Sequence, residues 1–195
     1  MSAATLAVTG KNAVVDWVLV ELRSAATPTT IIATRSALLQ RDGDVVGTNG
    51  YSRLLFNVAN GSYHVAVRHR NSLGLMTATA QAMSANTVTL DFTLPATPTY
   101  GTDARTTVNP GRMGQWCGNV VRDNLLKYTG STNDRDPILV AVGATTPNNA
   151  VSGYLQADVT LDGVVRYTGS ANDRDIIIVN IGGNTPNNTR AQQLP

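Results

Sequence analysis

The sequence predicts a mostly β protein: an antiparallel β-sandwich followed by a small duplicated loop–helix domain. Three observations carry this. Residues 4 to 93 read as short β-prone runs separated by turn dipeptides, and Pro95-Ala96-Thr97-Pro98-Thr99-Tyr100-Gly101 interrupts that pattern. The last third of the chain then spells one motif twice. These set the expected limits: a sandwich over 1–95, a stiff Pro-containing linker over 96–104, and the duplicated domain over 105–195.

Taken in order, Thr5 to Thr9 reads as a short extended segment and Ala13 to Arg23 as a long β-branched strand. Thr29 to Arg35, Arg53 to Val58, Ser62 to Arg70, Gly74 to Ala80 and Thr87 to Thr93 follow. Between them stand Gly10-Lys11-Asn12, Asp42-Gly43-Asp44, Asn49-Gly50, Asn60-Gly61 and Asn71-Ser72, the dipeptide chemistry that joins strands. No window in this half has a 3.6-residue apolar period, so about seven short strands point to a sandwich.

Alternation along Tyr63 to Arg70 puts Tyr63, Val65, Val67 and His69 on one face and His64, Ala66, Arg68 and Arg70 on the other. The second face reads as a solvated cationic surface, with an acidic partner or an anionic glycan as its functional alternative. His69 reads as a satisfied core histidine. Asp16 interrupts an apolar face of Val14, Val18 and Val20, and is expected either to pair with an arginine or to mark an edge.

The repeat aligns Asn119–Asn149 with Asp158–Asn188 at an offset of 39, with seventeen of 31 positions identical, among them Asn133-Asp134-Arg135-Asp136 on Asn172-Asp173-Arg174-Asp175. In the second copy Asp158, Thr160 and Asp162 stand at alternate positions before Gly163 and an apolar residue. Oxygens at alternate positions of a tight loop converge on one point, and calcium takes six to eight of them. Asp173 or Asp175 supplies the closing carboxylate, at the start of a helix made by Ile176 to Ile181 and ended by Gly182-Gly183. The candidate ligand positions in this copy are therefore Asp158, Thr160, Asp162, Val164, Asp173 and Asp175. In the first copy Asn119, Asp123, Asp134 and Asp136 occupy the matching places, but Val121 replaces Thr160, so this copy is expected to be weak or empty. An Asx-rich turn with no ion is the competing explanation of both loops.

On these residues the segment from 115 to 189 resembles the tandem dockerin-type repeat, an EF-hand-like calcium motif found at the C-terminal ends of large secreted bacterial surface proteins. It departs from that pattern in length: Asp158 to Asp175 spans 18 residues, against about twelve in the usual loop. Asn60-Gly61-Ser62-Tyr63-His64-Val65-Ala66-Val67 resembles a segment of immunoglobulin-like and prealbumin-like modules of secreted proteins. The resemblance implies an extracellular or cell-surface setting and a structural or adhesive role.

Composition narrows the alternatives. With 42% apolar residues over 195 positions the chain can build a real core. A formal charge of +2 without Lys/Arg runs gives no footprint for nucleic acid. No run approaches about 18 apolar residues, so no membrane span is expected. Met-Ser-Ala-Ala-Thr has neither a basic nor an apolar leader region, and the chain reads as a mature form or a fragment. Cys117 is alone, which excludes an internal disulfide and a Cys-based zinc site; beside Trp116 it reads as a small buried apolar residue.

His64 and His69 lie on opposite faces of one strand and cannot share a site, and no nucleophile or phosphate-loop motif is present, so no enzyme is expected. The expected function is thus a non-catalytic calcium-binding module. Two alternatives stand beside it. One is a glycan- or cohesin-binding module using Tyr128, Tyr167 or a helix face of the repeats. The other is a filament subunit that associates with itself or other surface proteins through β-strand edges, Thr5 to Thr9 above all.

Overall fold

In the computed structural model, which describes residues 1–195, the chain is mostly β with antiparallel pairing throughout its sheets. It begins on a helical turn, α1 (Ala3–Leu6), followed by a 3-10 turn at Gly10–Asn12. The expected extended segment Thr5–Thr9 is therefore not a strand. Ser2 accepts the backbone N–H of Thr5 at 3.1 Å, a cap that starts a helix, and the Thr5 hydroxyl donates to the Asn49 carbonyl at 3.1 Å. With no strand there, strand addition through this segment loses its premise.

Two compact units follow. The first comprises 1–69, 74–114 and 193–195, the second 70–73 and 115–192. The expected division at 95 with a linker over 96–104 is corrected accordingly: residues 96–104 are built into the first unit. Ala78 donates to the Pro98 carbonyl at 3.1 Å, and Tyr100 donates to Met76 at 2.8 Å. Proline stiffens a segment wherever it lies, and here the stiff segment runs along a strand partner.

The first unit is built on β1 (Val14–Ser24), β2 (Ile31–Gln40), β3 (Val45–Val46), β4 (Gly61–His69), β5 (Ser72–Met76) and β6 (Gln81–Met83). They form one sheet in the order β3-β2-β1-β4-β5, with β6 also on β4. Alternation in β1 turns Val18, Val20 and Leu22 to one face, where they pack with Ala37 and Val65. Burying each such side chain contributes roughly 1.5–3 kcal/mol.

The expected strands Arg53–Val58 and Thr87–Thr93 are not strands, so the sandwich's second sheet is missing as a hydrogen-bonded layer. Leu54, Phe56, Val58 and Leu90 nevertheless pack on the apolar face. Alternation records which side chains are buried, not whether a neighbouring backbone lies alongside. A hairpin of β7 (Arg105–Asn109) and β8 (Arg112–Gln115) ends this half.

The opposite face of the sheet also differs from expectation. His64 and Ala66 are buried, and Arg68 donates to the buried Glu21 at 2.7 Å. Arg23, equally buried, binds the other oxygen of Glu21 at 2.7 Å. Arg68 reaches this internal carboxylate across the β1–β4 ladder and Arg23 from two residues along β1, so the charge of Arg68 is answered within the chain. Asp16 pairs with His69 at 3.1 Å.

The second unit contains β9 (Leu125–Lys127), α2 (Arg135–Ala141), β10 (Ala150–Ser152), β11 (Val164–Arg166), α3 (Asp173–Asn180) and β12 (Thr189–Ala191). Its core is assembled from equivalent positions of the two copies: Val120 with Val159, Leu126 with Val165, Ile138 with Ile177, and Val142 with Ile181. The copies interlock reciprocally. The strand that follows the first copy, β10, pairs with β11 of the second, and the strand that follows the second, β12, pairs with β9 of the first. Thr168 donates to the Pro147 carbonyl at 3.1 Å, and Thr129 repeats the bond to Pro186 at 3.0 Å. No helix of the chain is long and apolar enough to cross a membrane.

Candidate functional site

The loop of the second copy is shaped by its first carboxylate. Asp158 Oδ1 accepts the N–H of Asp162 at 3.2 Å and Oδ2 accepts that of Gly163 at 3.1 Å. This curls the chain so tightly that Leu161 sits at φ 60° and Gly163 at φ 81°. Glycine adopts that conformation freely, whereas leucine is strained in it. The first copy has the same backbone, with Arg122 at φ 65° and Asn124 at φ 67°, and Asn119 Oδ1 accepts the N–H of Arg122 at 3.0 Å.

Of the two candidate closing carboxylates, Asp173 turns into the loop and Asp175 turns away. Asp173 is fully buried; its Oδ1 accepts the N–H groups of Val159 at 2.7 Å and Thr160 at 2.9 Å, and its Oδ2 accepts that of Arg166 at 2.8 Å. Asp175 instead closes a reciprocal cap with Asn172: its N–H donates to Asn172 Oδ1 at 2.9 Å and Asn172 Nδ2 donates back at 2.8 Å. The amide of Asn172 and the adjoining Arg174 hold its carboxyl below the usual range. Asp136 forms the same cap with Asn133.

Thr160 is where oxygens gather. Its hydroxyl lies 3.3 Å from Asp158 Oδ1 and 3.2 Å from Asp173 Oδ1, so two buried carboxylates meet at one side-chain oxygen. Burial pushes the Asp173 carboxyl up against the opposing pull of its three N–H donors. Asp162 leaves the group: its Oδ1 accepts the Val164 N–H at 2.8 Å, and Oδ2 binds Arg166 at 2.6 Å. Desolvation pushes its carboxyl up, but Arg166, the Val164 N–H and the Thr160 hydroxyl together hold it below the usual range. Val164 lies in β11, paired with Ser152.

No group of three His, Cys, Asp or Glu side chains gathers as a metal cluster anywhere in the chain. The oxygen set at Thr160 is two carboxylates and a hydroxyl, a donor chemistry suited to a hard cation. Its carboxylate oxygens also serve main-chain N–H groups, and three side-chain oxygens are fewer than a calcium ion takes, so main-chain oxygens and water must supply the rest.

The first copy separates scaffold from extra chemistry. Asp134 accepts the N–H of Val121 at 2.9 Å and of Lys127 at 2.8 Å, matching Asp173 almost bond for bond. Burial raises its carboxyl to about 6, with those two N–H groups opposing and Asp123 adding to the rise. Asp123 accepts the Leu125 N–H at 3.1 Å. What the first copy lacks is the second carboxylate and the hydroxyl, since Asn119 and Val121 stand there.

Two contributors have no signal in the repeat itself. Arg70 approaches Asp158 Oδ2 at 3.7 Å, and Asn71 Nδ2 donates to the Asp158 carbonyl at 2.7 Å. Both are more than eighty residues away in sequence, and only the folded chain brings them in. The candidate aromatic platform is covered: Arg135 lies over the Tyr128 ring at 5.1 Å and Arg174 over Tyr167 at 5.0 Å. Cys117 is half-buried, with its thiol pushed up by burial and Asn180 Nδ2 at 3.3 Å from Sγ.

Comparison with protein-family models, curated proteins and solved structures finds no match.

Proposed function

We propose that the chain is a non-catalytic structural or adhesive module of a secreted or cell-surface bacterial protein, whose dockerin-like second repeat takes one calcium ion at Asp158, Thr160 and Asp173. The observation that carries this is the meeting of both carboxylates at the Thr160 hydroxyl. Two buried carboxylates with only Arg70 as a nearby cation, at 3.7 Å, form a site that a bound cation stabilises. The ion's task is structural: it neutralises the pair and fixes the loop against the start of α3. The first copy keeps the scaffold carboxylate Asp134 without the added oxygens, and takes no ion. A non-catalytic role is further supported by the commitment of both histidines, His64 to the Thr77 carbonyl at 3.0 Å and His69 to Asp16.

Calorimetric titration of the chelator-treated protein with calcium tests the proposal. The expected result is one site per chain, lost in Asp158→Asn and weakened at least tenfold in Thr160→Val, while Asp123→Ala leaves it unchanged. Melting temperature should rise with calcium concentration by mass action in the parent protein and not in Asp158→Asn. Absence of uptake, or equal effects of Thr160→Val and Asp123→Ala, refutes it.

A further inference from the structure

In the first unit, a cleft of about 400 Å³ lies between the β1–β4 face and the two covering segments. Its floor includes Val20, Leu22, Val65 and Val67, and Phe56 and Leu90 stand against them. The volume falls near the lower end of the roughly 300–1,000 Å³ typical of small-ligand sites, which are mostly apolar with a few placed polar groups. Residues 53–58 and 87–93 are not strands, so no ladder of backbone bonds closes the cleft between them and the sheet.

Only one charged residue lines the cleft, Arg53. It is exposed, donates to the Thr87 hydroxyl on the other covering segment, and has no acidic partner. A guanidinium carries five N–H donors in a planar fork suited to a carboxylate. An apolar slot with one unanswered cation matches an amphipathic monoanion. We propose that this cleft binds a single-chain fatty carboxylate, with its acyl chain between the sheet and the covering segments and its carboxylate on Arg53. The volume admits one chain, and the sole positive charge selects an anionic head over a neutral or cationic one. This site is independent of the calcium reading, and its test runs in chelator.

The test is isothermal titration of the whole chain with dodecanoate, dodecanol and dodecyltrimethylammonium, each below its micelle concentration. Dodecanoate is expected to bind one per chain, at least tenfold tighter than dodecanol, with the cationic amphiphile weakest. Arg53→Gln, at an exposed position, should remove the advantage of dodecanoate and leave dodecanol binding unchanged. Val67→Trp, which fills the floor, should weaken both, with folding checked by circular dichroism. No saturable binding of dodecanoate, equal affinity for the three amphiphiles, or an unchanged preference in Arg53→Gln overturns the proposal.

Discussion

Asp134 and Asp173, 39 residues apart in sequence, do the same work in the two repeats: each is a fully buried carboxylate that accepts an N–H at 2.8 Å from the last residue of the strand before it, Lys127 or Arg166. Each also accepts an N–H from the loop above, so one side chain ties loop, strand and helix together.

Replacing either residue by asparagine puts an NH2 group against a backbone donor and leaves that donor unpaired. A buried unsatisfied group costs about 1–3 kcal/mol. Asp134→Asn and Asp173→Asn should therefore each lower unfolding free energy by about 2 kcal/mol in chelator, as measured by urea denaturation. Only Asp173→Asn should also abolish the stabilisation by calcium.

The raised carboxyl of Asp134 gives a definite pH dependence. Its folded value of about 6 lies above the ordinary 3.8, so the folded chain holds this proton more tightly than the unfolded chain does. Its contribution is fully present below about pH 4 and is lost as pH rises through about 6, at up to about 1.4 kcal/mol per pH unit. Asp173 shifts the same way through burial, whereas Asp91, held low chiefly by Thr93, and Asp175 contribute stability that falls away only below their ordinary range. Denaturation in chelator should show greater stability near pH 5 than at pH 7, and Asp134→Asn should flatten that slope.

Glu21 sits between two arginines of unequal burial. Arg23 is 3% exposed at its side chain and Arg68 34%. Glu21→Ala strands Arg23 in the interior, where breaking a buried pair costs about 3–5 kcal/mol. Arg68→Ala removes a contact that water largely replaces and should cost no more than about 1 kcal/mol. A thermal melt of the two variants distinguishes them.

Ala144 follows α2 at φ 54°, where the second copy has Gly183 at φ 69°. Left-handed backbone costs a non-glycine residue roughly 1–2 kcal/mol, partly offset by the greater freedom glycine has when unfolded. Ala144→Gly should raise stability by about 0.5–1 kcal/mol, read from the urea midpoint.

The parts legible in the sequence are those governed by neighbours along the chain. Residues 14–24 and 61–69 form strands where alternation places them, and the glycines Gly182 and Gly183 follow the end of α3. What could not be read depends on long-range pairing. Leu54, Phe56 and Val58 alternate like a strand but find no strand partner, and Thr5 follows a serine cap rather than its own β preference. Within the loop, spacing offered Asp162 and either Asp173 or Asp175, yet Asp162 and Asp175 are drawn off by adjacent groups, Arg166 in one case and Asn172 in the other. The choice of Asp173 over Asp175 depends on the direction in which each carboxylate turns, which a sequence does not carry.

The crossed pairing of β10 with β11 and β12 with β9 makes the duplication self-limiting. Each copy lends its trailing strand to its twin, so after two copies every lent strand has been received. A third copy in tandem would have no vacant edge to fill, unlike a solenoid, in which each added repeat exposes the next docking surface. Conversely, a molecule reduced to one copy would recover its missing strand only from another molecule. Gene shortening in this region would thus turn an internal handshake into an intermolecular one, with two molecules exchanging their trailing strands.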